Sequence, residues 1–265
     1  MKEKGDIMRA IGINLDAIEG LSDDEYLRLA AEAGFSATFS GVYDIERHLA
    51  IAASCKKYGI AYETLHAPFN HINDIWLEND NGLLDELKYS VDCCAATEIP
   101  ILVVHLSSGM NPPSITDIGR ARFAELVAYA AEKQVKIAFE NQRTLANLAW
   151  SFEAFKNETV GFCWDCGHES CFTPGRHFMP LFGDRLICTH IHDNSAIFNH
   201  DDHLLPFDGA ADFDYVAKTI GESSYTGSLM LEIGNDAVYG GMDPKEFLEK
   251  AAAAARKLRA MADGE

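Results

Sequence analysis

Basic residues are scarce in this chain. Of 265 residues, 22 are Lys or Arg against 41 Asp or Glu, a formal charge of -19. Binding to a phosphate backbone depends on Lys and Arg, so this balance argues against a nucleic-acid surface, a local basic patch aside. No run of about 18 apolar residues occurs, which argues against a membrane-spanning helix. The start, MKEKGDIMRAIGINLD, meets Asp6 and Asp16 early and lacks the apolar stretch and small-residue cleavage site of a signal peptide. Gly-x-Gly-x-x-Gly and the Walker lysine motif are missing, so neither common phosphate-cradling loop is expected. No linker-like stretch divides the chain, and a single domain over residues 1–265 is the expectation. Seven cysteines is an odd number, and Cys55, Cys93, Cys94 and Cys188 sit inside apolar or helical stretches. A chain of this length needs no disulfide staples, so reduced thiols and a cytoplasmic location are expected.

What the chain does have is alternation. Eight strand-like runs fall at 10–15, 36–43, 60–69, 100–108, 135–142, 160–167, 186–194 and 228–234. Amphipathic helical patterns separate most of them. Ser22 is a natural N-cap with Gly34 as a stop, and Gly59 closes a second helix that has Lys56 and Lys57 in its last turn. Asp243 followed by Pro244 opens the final helix. Helices after the fifth and sixth runs are indistinct. Eight strands alternating with helices predict an α/β fold, a parallel eight-stranded (β/α)8 TIM barrel, with a doubly wound open sheet as the alternative.

Side chains on a barrel strand alternate between the interior and the helix layer. Leu102, Val104 and Leu106 oppose Val103, His105 and Ser107; Ile137 and Phe139 oppose Ala138 and Glu140. On the same rule His66, Asp165, His190 and Glu232 share the inward set, and His192 follows His190 on its face. Each stands near the C-terminal end of its strand, where a barrel carries its chemistry. A lone inward histidine reads as a satisfied core residue, whereas a lone inward glutamate is costly unless paired or metal-bound. Six such positions on six consecutive strands point to metal binding. Cys163 and Cys166, in GFCWDCGHES, suggest instead half of a structural zinc site. Three residues apart on a strand they face opposite sides, and no second Cys-x-x-Cys occurs downstream, so both are expected to pack. Asp165 should be a ligand, and His168, just past the strand end, a metal or substrate contact.

The stretches TLHAP, VVHLSS, AFENQ, WDCGH, HIHDN, DDHLLPFDG and MLEIG occur in the order seen in the xylose-isomerase-like barrel superfamily, which the chain resembles from about residue 9 to 250. That superfamily holds sugar and sugar-phosphate isomerases and epimerases, and the AP endonucleases with a trinuclear zinc site. The resemblance to the endonuclease branch implies nine metal ligands: His66, His105, Glu140, Asp165, His168, His190, Asp201, His203 and Glu232. The isomerase branch implies one divalent ion held by Glu140, Asp165, His190 and Glu232. His190 matches the strand-seven ligand because it stands three before Asp193; His192 points the same way and is a candidate for substrate or metal. One departure is PFDG at 206–209, where the family more often has Gly-Glu-Gly.

The resemblance implies a metal-dependent sugar or sugar-phosphate isomerase or epimerase. Glu140 and Glu232 would move a proton beside a carbonyl, with one to three ions per chain of zinc, manganese, magnesium or cobalt. His168, His192, Arg143 and Trp164 are expected at the substrate, with Trp150 and Phe69 as further covers for a sugar ring against a packing role. Arg120, Arg122 and Arg143 are candidates to bind a sugar phosphate. The alternative from the same resemblance is a trinuclear zinc phosphoesterase of the AP-endonuclease type, which the shortage of basic loops opposes. A catalytically silent metal or sugar binder is a third reading. The expected partner is a small-molecule sugar or sugar phosphate, with no nucleic acid and no membrane. Association of identical chains stays open.

Overall fold

The computed structural model describes residues 8–234 and 238–264. Eight parallel strands form one sheet: β1 (Ile11–Asn14), β2 (Ala37–Gly41), β3 (Ala61–His66), β4 (Ile101–His105), β5 (Lys136–Glu140), β6 (Val160–Asp165), β7 (Leu186–His190) and β8 (Leu229–Leu231). Their order is β7-β6-β5-β4-β3-β2-β1-β8. The two ends of that series meet through a parallel bridge between Ile191 and Leu231, backed by Ile191 N donating to Met230 O. The result is the expected (β/α)8 barrel.

Helices α1 (Asp23–Ala33), α2 (Ile45–Tyr58), α3 (Leu83–Ala96), α4 (Asp117–Glu132), α5 (Leu145–Ala154), α6 (Cys166–Phe172), α7 (Met179–Phe182), α8 (Phe213–Glu222) and α9 (Pro244–Asp263) form the outer layer. Their ends obey the expected chemistry. Ser22 accepts from Glu25 N, Asp44 from Arg47 N and Asp243 from Lys245 N and Glu246 N. Gly34 ends α1 in the left-handed region at φ 101, a conformation that favours glycine. The helices after β5 and β6 are real but poorly punctuated. Thr144 makes no side-chain cap on α5, and α6 starts on the strand's own last residue, Asp165, whose carboxylate accepts from His168 N.

The alternation rule holds for most of the interior; a register shift between β6 and β7 skips Ile187, which packs against the inward residues. Val103, Ala138, Cys163 and Cys188 pack together inside the barrel, with Ala37, Phe39 and Met230 as a second group. Leu102, Val104, Ile137, Phe139, Phe162 and Trp164 face the helices in the main core. Each fully buried residue of this size contributes about 1.5–3 kcal/mol relative to exposure. The strands end earlier than the apolar runs suggest. Runs expected to reach 194 and 234 leave the sheet at His190 and Leu231. A long connection leads from β7 over the C-terminal mouth before α8 begins at Phe213.

Candidate metal centre

Strand length places the ionisable side chains. His66, His105, Glu140, Asp165 and His190 are the last residues of β3 to β7, and Glu232 directly succeeds β8. Register sets them side by side: His105 pairs with Glu140 and Asp165 with His190. All except Glu232 are buried. Two asparagines continue the ladder where the sheet stops. Asn141 Nδ2 donates to Asp165 O and its Oδ1 accepts from Asp165 N, both at 2.8 Å. Asn14 makes the same two bonds to Ile233, next to Glu232.

Among the described residues the side chains converge in five groups, four of them overlapping, whose ligand atoms lie within 4.8 Å of one another, and three of these contain every member but Cys163. Glu140, Asp165, His190 and Glu232 form the inner group. His190 Nδ1 stands 3.0 Å from Glu232 Oε2. A side group shares Glu140, whose Oε2 lies 3.1 Å from both His66 Nε2 and His105 Nε2. The outer group is His168, His192, Asp201 and His203. His168 Nε2 and His203 Nε2 approach Asp201 Oδ2 at 3.2 and 3.4 Å. Hydrogen bonds from the far ring nitrogen fix several imidazoles. His66 Nδ1 donates to Ala67 O and His203 Nδ1 to Glu232 O, each at 2.8 Å, which turns Nε2 of both inward toward the carboxylates. This arrangement is typical of metal-ligating histidine. His192 reaches the cluster because residue 167 has no side chain: a methyl group there would overlap the imidazole ring.

The electrostatics describe a cation-seeking cavity. Burial opposes the charge on Glu140, yet His105 and His190 outweigh it and hold its carboxyl well below the usual range. Glu232 is likewise depressed against burial by His190, and Asp201 by its bonds to His168 and His203. Burial also opposes the imidazolium of His190 and His168, but Glu232 and Glu140 around the first and Asp165 and Asp201 around the second push both pKa values well above normal. His203 is raised to about 9, against burial, by Asp201 and Glu232. Protons on these imidazoles offset the crowded carboxylates. A divalent ion would do the same, and buried atoms such as Asp165 Oδ2 and both nitrogens of His190 and His192 make no hydrogen bond. His and carboxylate mixtures of this kind fit zinc, manganese and related ions.

Above the cluster, one cavity of about 370 Å³ is lined by Phe69, Asn70, Gln142, Arg143, Phe172 and the ionisable set. A neighbouring space of about 510 Å³ extends over Asn14, Asp16, Phe39 and Val42. Arg143 is the one Lys or Arg among the described residues lining either. Its Nε donates to Asn199 Oδ1 and its guanidinium lies 3.5 Å over the Phe172 ring. Phe69, partly exposed, stands over His66 and His105.

Trp164 requires a correction. It is fully buried on the helix side of β6, donating from Nε1 to Glu169 Oε2, and does not reach the mouth. Strand alternation explains this, since its neighbours Cys163 and Asp165 take the inner face. Trp150 packs on Trp76, Phe123 and Phe155. Arg122 is used up bracing a loop, donating to Ile75 O, Leu77 O and Glu78 O, and Arg120 lies beside Trp150 and Asp117. Neither lines the mouth. Cys163 packs beside Cys188 inside the barrel, while Cys166 joins the main core on the other side. Gln142 was not anticipated; its Nε2 lies 3.2 Å from His105 Nε2 and 3.0 Å from His168 Nδ1. It stands in the same AFENQ stretch as Glu140, and its position just past the strand end was the available signal.

These features define a (β/α)8 barrel with a cation-type cluster at its C-terminal mouth. The model of the xylose isomerase-like TIM barrel family matches residues 27–261, and the chain belongs to that family. An uncharacterised protein of Sinorhizobium fredii is 32% identical over 189 residues, 66% of this chain; the match spans 60% of that relative's length. Among solved structures, a xylose isomerase domain protein from Planctomyces limnophilus superposes with TM-score 0.76 at 16% identity, covering 97% of this chain and 99% of that one. A D-psicose 3-epimerase with D-tagatose from Clostridium cellulolyticum gives 0.78 at 13%, covering 96% and 99%. A 3-keto-D-glucoside 4-epimerase from E. coli gives 0.74 at 18%, covering 94% and 99%. At these identities the structural matches establish the fold.

Proposed function

We propose that the protein is a divalent-metal-dependent sugar isomerase or epimerase. The observation that carries this reading is the inner group: three carboxylates and an imidazole at the ends of four strands, with ligand atoms within 4.8 Å, opening onto a cavity lined by amides and two aromatic rings. The reactions named for the epimerases of the same fold support it.

Glu140, Asp165, His190 and Glu232 would hold a divalent ion, which would supply an electrophile for a carbonyl and its adjacent hydroxyl. The chain's own groups move the proton. Glu232 lines both cavities, so its carboxylate can take the proton from the carbon next to the carbonyl. Glu140, across the cluster, would deliver to the other face or to the neighbouring carbon a proton that it first takes up from solvent in the cavity. Gln142, at the cavity wall, would bind a substrate oxygen, and Phe69 and Arg143 complete the walls; His192, fully buried, lines neither cavity. Solvent deuterium should enter at the carbon beside the carbonyl. Glu232→Gln and Glu140→Gln should each lower that exchange by about 10²–10⁴-fold. Unchanged exchange in either variant removes that residue from proton transfer.

A second reading, a trinuclear zinc phosphoesterase, is favoured by one observation: the three groups together comprise all nine expected ligands. The single Lys or Arg lining the mouth opposes it, because a DNA backbone needs several. Cleavage of abasic-site DNA at catalytic rates would reverse the order of the two readings.

A further inference from the structure

We propose that His192 closes the outer group into a four-ligand zinc site, His168–His192–Asp201–His203, which has no open position and serves to clamp the connection between β7 and α8. The inner group shares no residue with it, so either site can stand without the other.

His192 is fully buried, yet neither of its ring nitrogens makes a hydrogen bond. Its Nε2 points into the cluster, 3.1 Å from Asp165 Oδ1 and 3.7 Å from Asp201 Oδ1, without hydrogen-bond geometry to either. An imidazole left bare in this way loses about 1–3 kcal/mol of hydration, a cost that metal ligation removes. The ring stacks on His203 at 4.1 Å between centroids and is admitted by the absent side chain at Gly167. Three imidazoles and one carboxylate suit zinc, and four protein ligands make the closed geometry of a structural site, whereas a catalytic site keeps one position free.

The segment that the site would hold needs holding. Ala196, Asn199, His203 and Phe207 all adopt positive φ, between 58 and 75 except for His203 at 47. Conformations of this kind persist only where the surroundings over-determine them. Asp201 and His203 come from this segment, His192 stands two residues past the end of β7, beside the Ile191–Leu231 bridge, and His168 comes from α6. One ion would therefore tie the segment to two fixed elements, and with it the Asp201, Asp202 and His203 wall of the larger cavity. A saturated ion cannot activate water, so the site adds structure to the mouth rather than a second reaction.

The test is cobalt titration of the metal-stripped full chain, read by visible absorption. The expected result is one equivalent with the intense bands of tetrahedral Co²⁺, unmoved by added azide. His192→Ala should turn those bands weak and azide-sensitive, and His203→Ala, at a partly exposed position, should remove that equivalent altogether. Asp165→Asn should leave the intense bands in place, which separates this site from the inner one. Azide-sensitive bands in the unaltered protein would overturn closure even if His192→Ala does not fold. Intense bands that survive both histidine substitutions, or that never form, would overturn the site.

Discussion

Gly167 shows how one residue decides the shape of the mouth. It lies in the first turn of α6, two residues past Asp165, and its missing side chain is the space that the His192 imidazole occupies. The nearest atoms are ring atoms of a buried side chain, which cannot swing out to solvent. Gly167→Ala should therefore displace His192, at a cost of about 1–3 kcal/mol for the overpacking. Chemical denaturation together with zinc stoichiometry checks this. A variant with native stability and unchanged zinc content would mean that the ring can move without consequence. The same scale explains Trp164. Aromatic character suggests a sugar platform, but period-2 alternation beside the inward Asp165 sends it to the helix layer.

At the scale of the element, much of the mouth is legible because the polar residues sit where apolar runs end. His66, His105, Glu140, Asp165 and His190 stand on the inner face by alternation, and the strands stop on them. The contribution of the β7–α8 connection is not legible by periodicity, since Asp201 and His203 lie outside any strand and only family resemblance points to them. The helices after β5 and β6 are obscure for two different reasons: α5 begins at Leu145 without a side-chain cap, while Asp165 both ends β6 and caps α6, so no loop marks that boundary. A bulge hides a further feature. Thr38 pairs with Tyr62 and Phe39 with Thr64, so Glu63 is skipped in the register. Its Oε1 accepts from Ser228 Oγ at 2.6 Å, and burial raises its carboxyl pKa despite that bond. A raised carboxyl pKa means that the folded state prefers the protonated form. Stability is then full below the unfolded value and declines as pH rises through the folded one. Glu63→Gln should thus be more stable than the unaltered protein at pH 7 and lose that advantage near pH 4. A variant that is less stable at pH 7 would show that the charged bond to Ser228 outweighs burial.

For the whole molecule, two devices hold the barrel together, one permanent and one exchangeable. Arg9, just before β1, is buried in an ion pair with Asp263 near the end of α9 and donates to Tyr225 O and Ile220 O. It joins the start of the chain to the last helices. Arg9→Ala should cost about 3–5 kcal/mol, because Asp263 is left buried without its partner. A loss below about 1 kcal/mol in urea unfolding would show that the closure is held elsewhere. The exchangeable device is the charge at the mouth. In a chain of net charge -19, Glu140, Asp165, Asp201 and Glu232 crowd together, and protons, or the metal proposed above, would balance them. The metal-free protein relies on protonated histidines. With His203 raised to about 9, that stabilisation is complete below the unfolded histidine value of about 6.5 and disappears as pH climbs through 9. Metal binding runs the other way, since ligation requires the imidazoles to lose those protons. The difference in melting temperature between zinc-loaded and chelator-treated protein should therefore widen from about pH 6.5 to 9. At zinc a hundredfold above Kd, one site adds about 2.7 kcal/mol, or roughly 5–10 °C for a protein of this size. A gap that stays flat or narrows over that range would mean that protons and metal do not compete for the same imidazoles, and the cluster would lose its account as a metal centre.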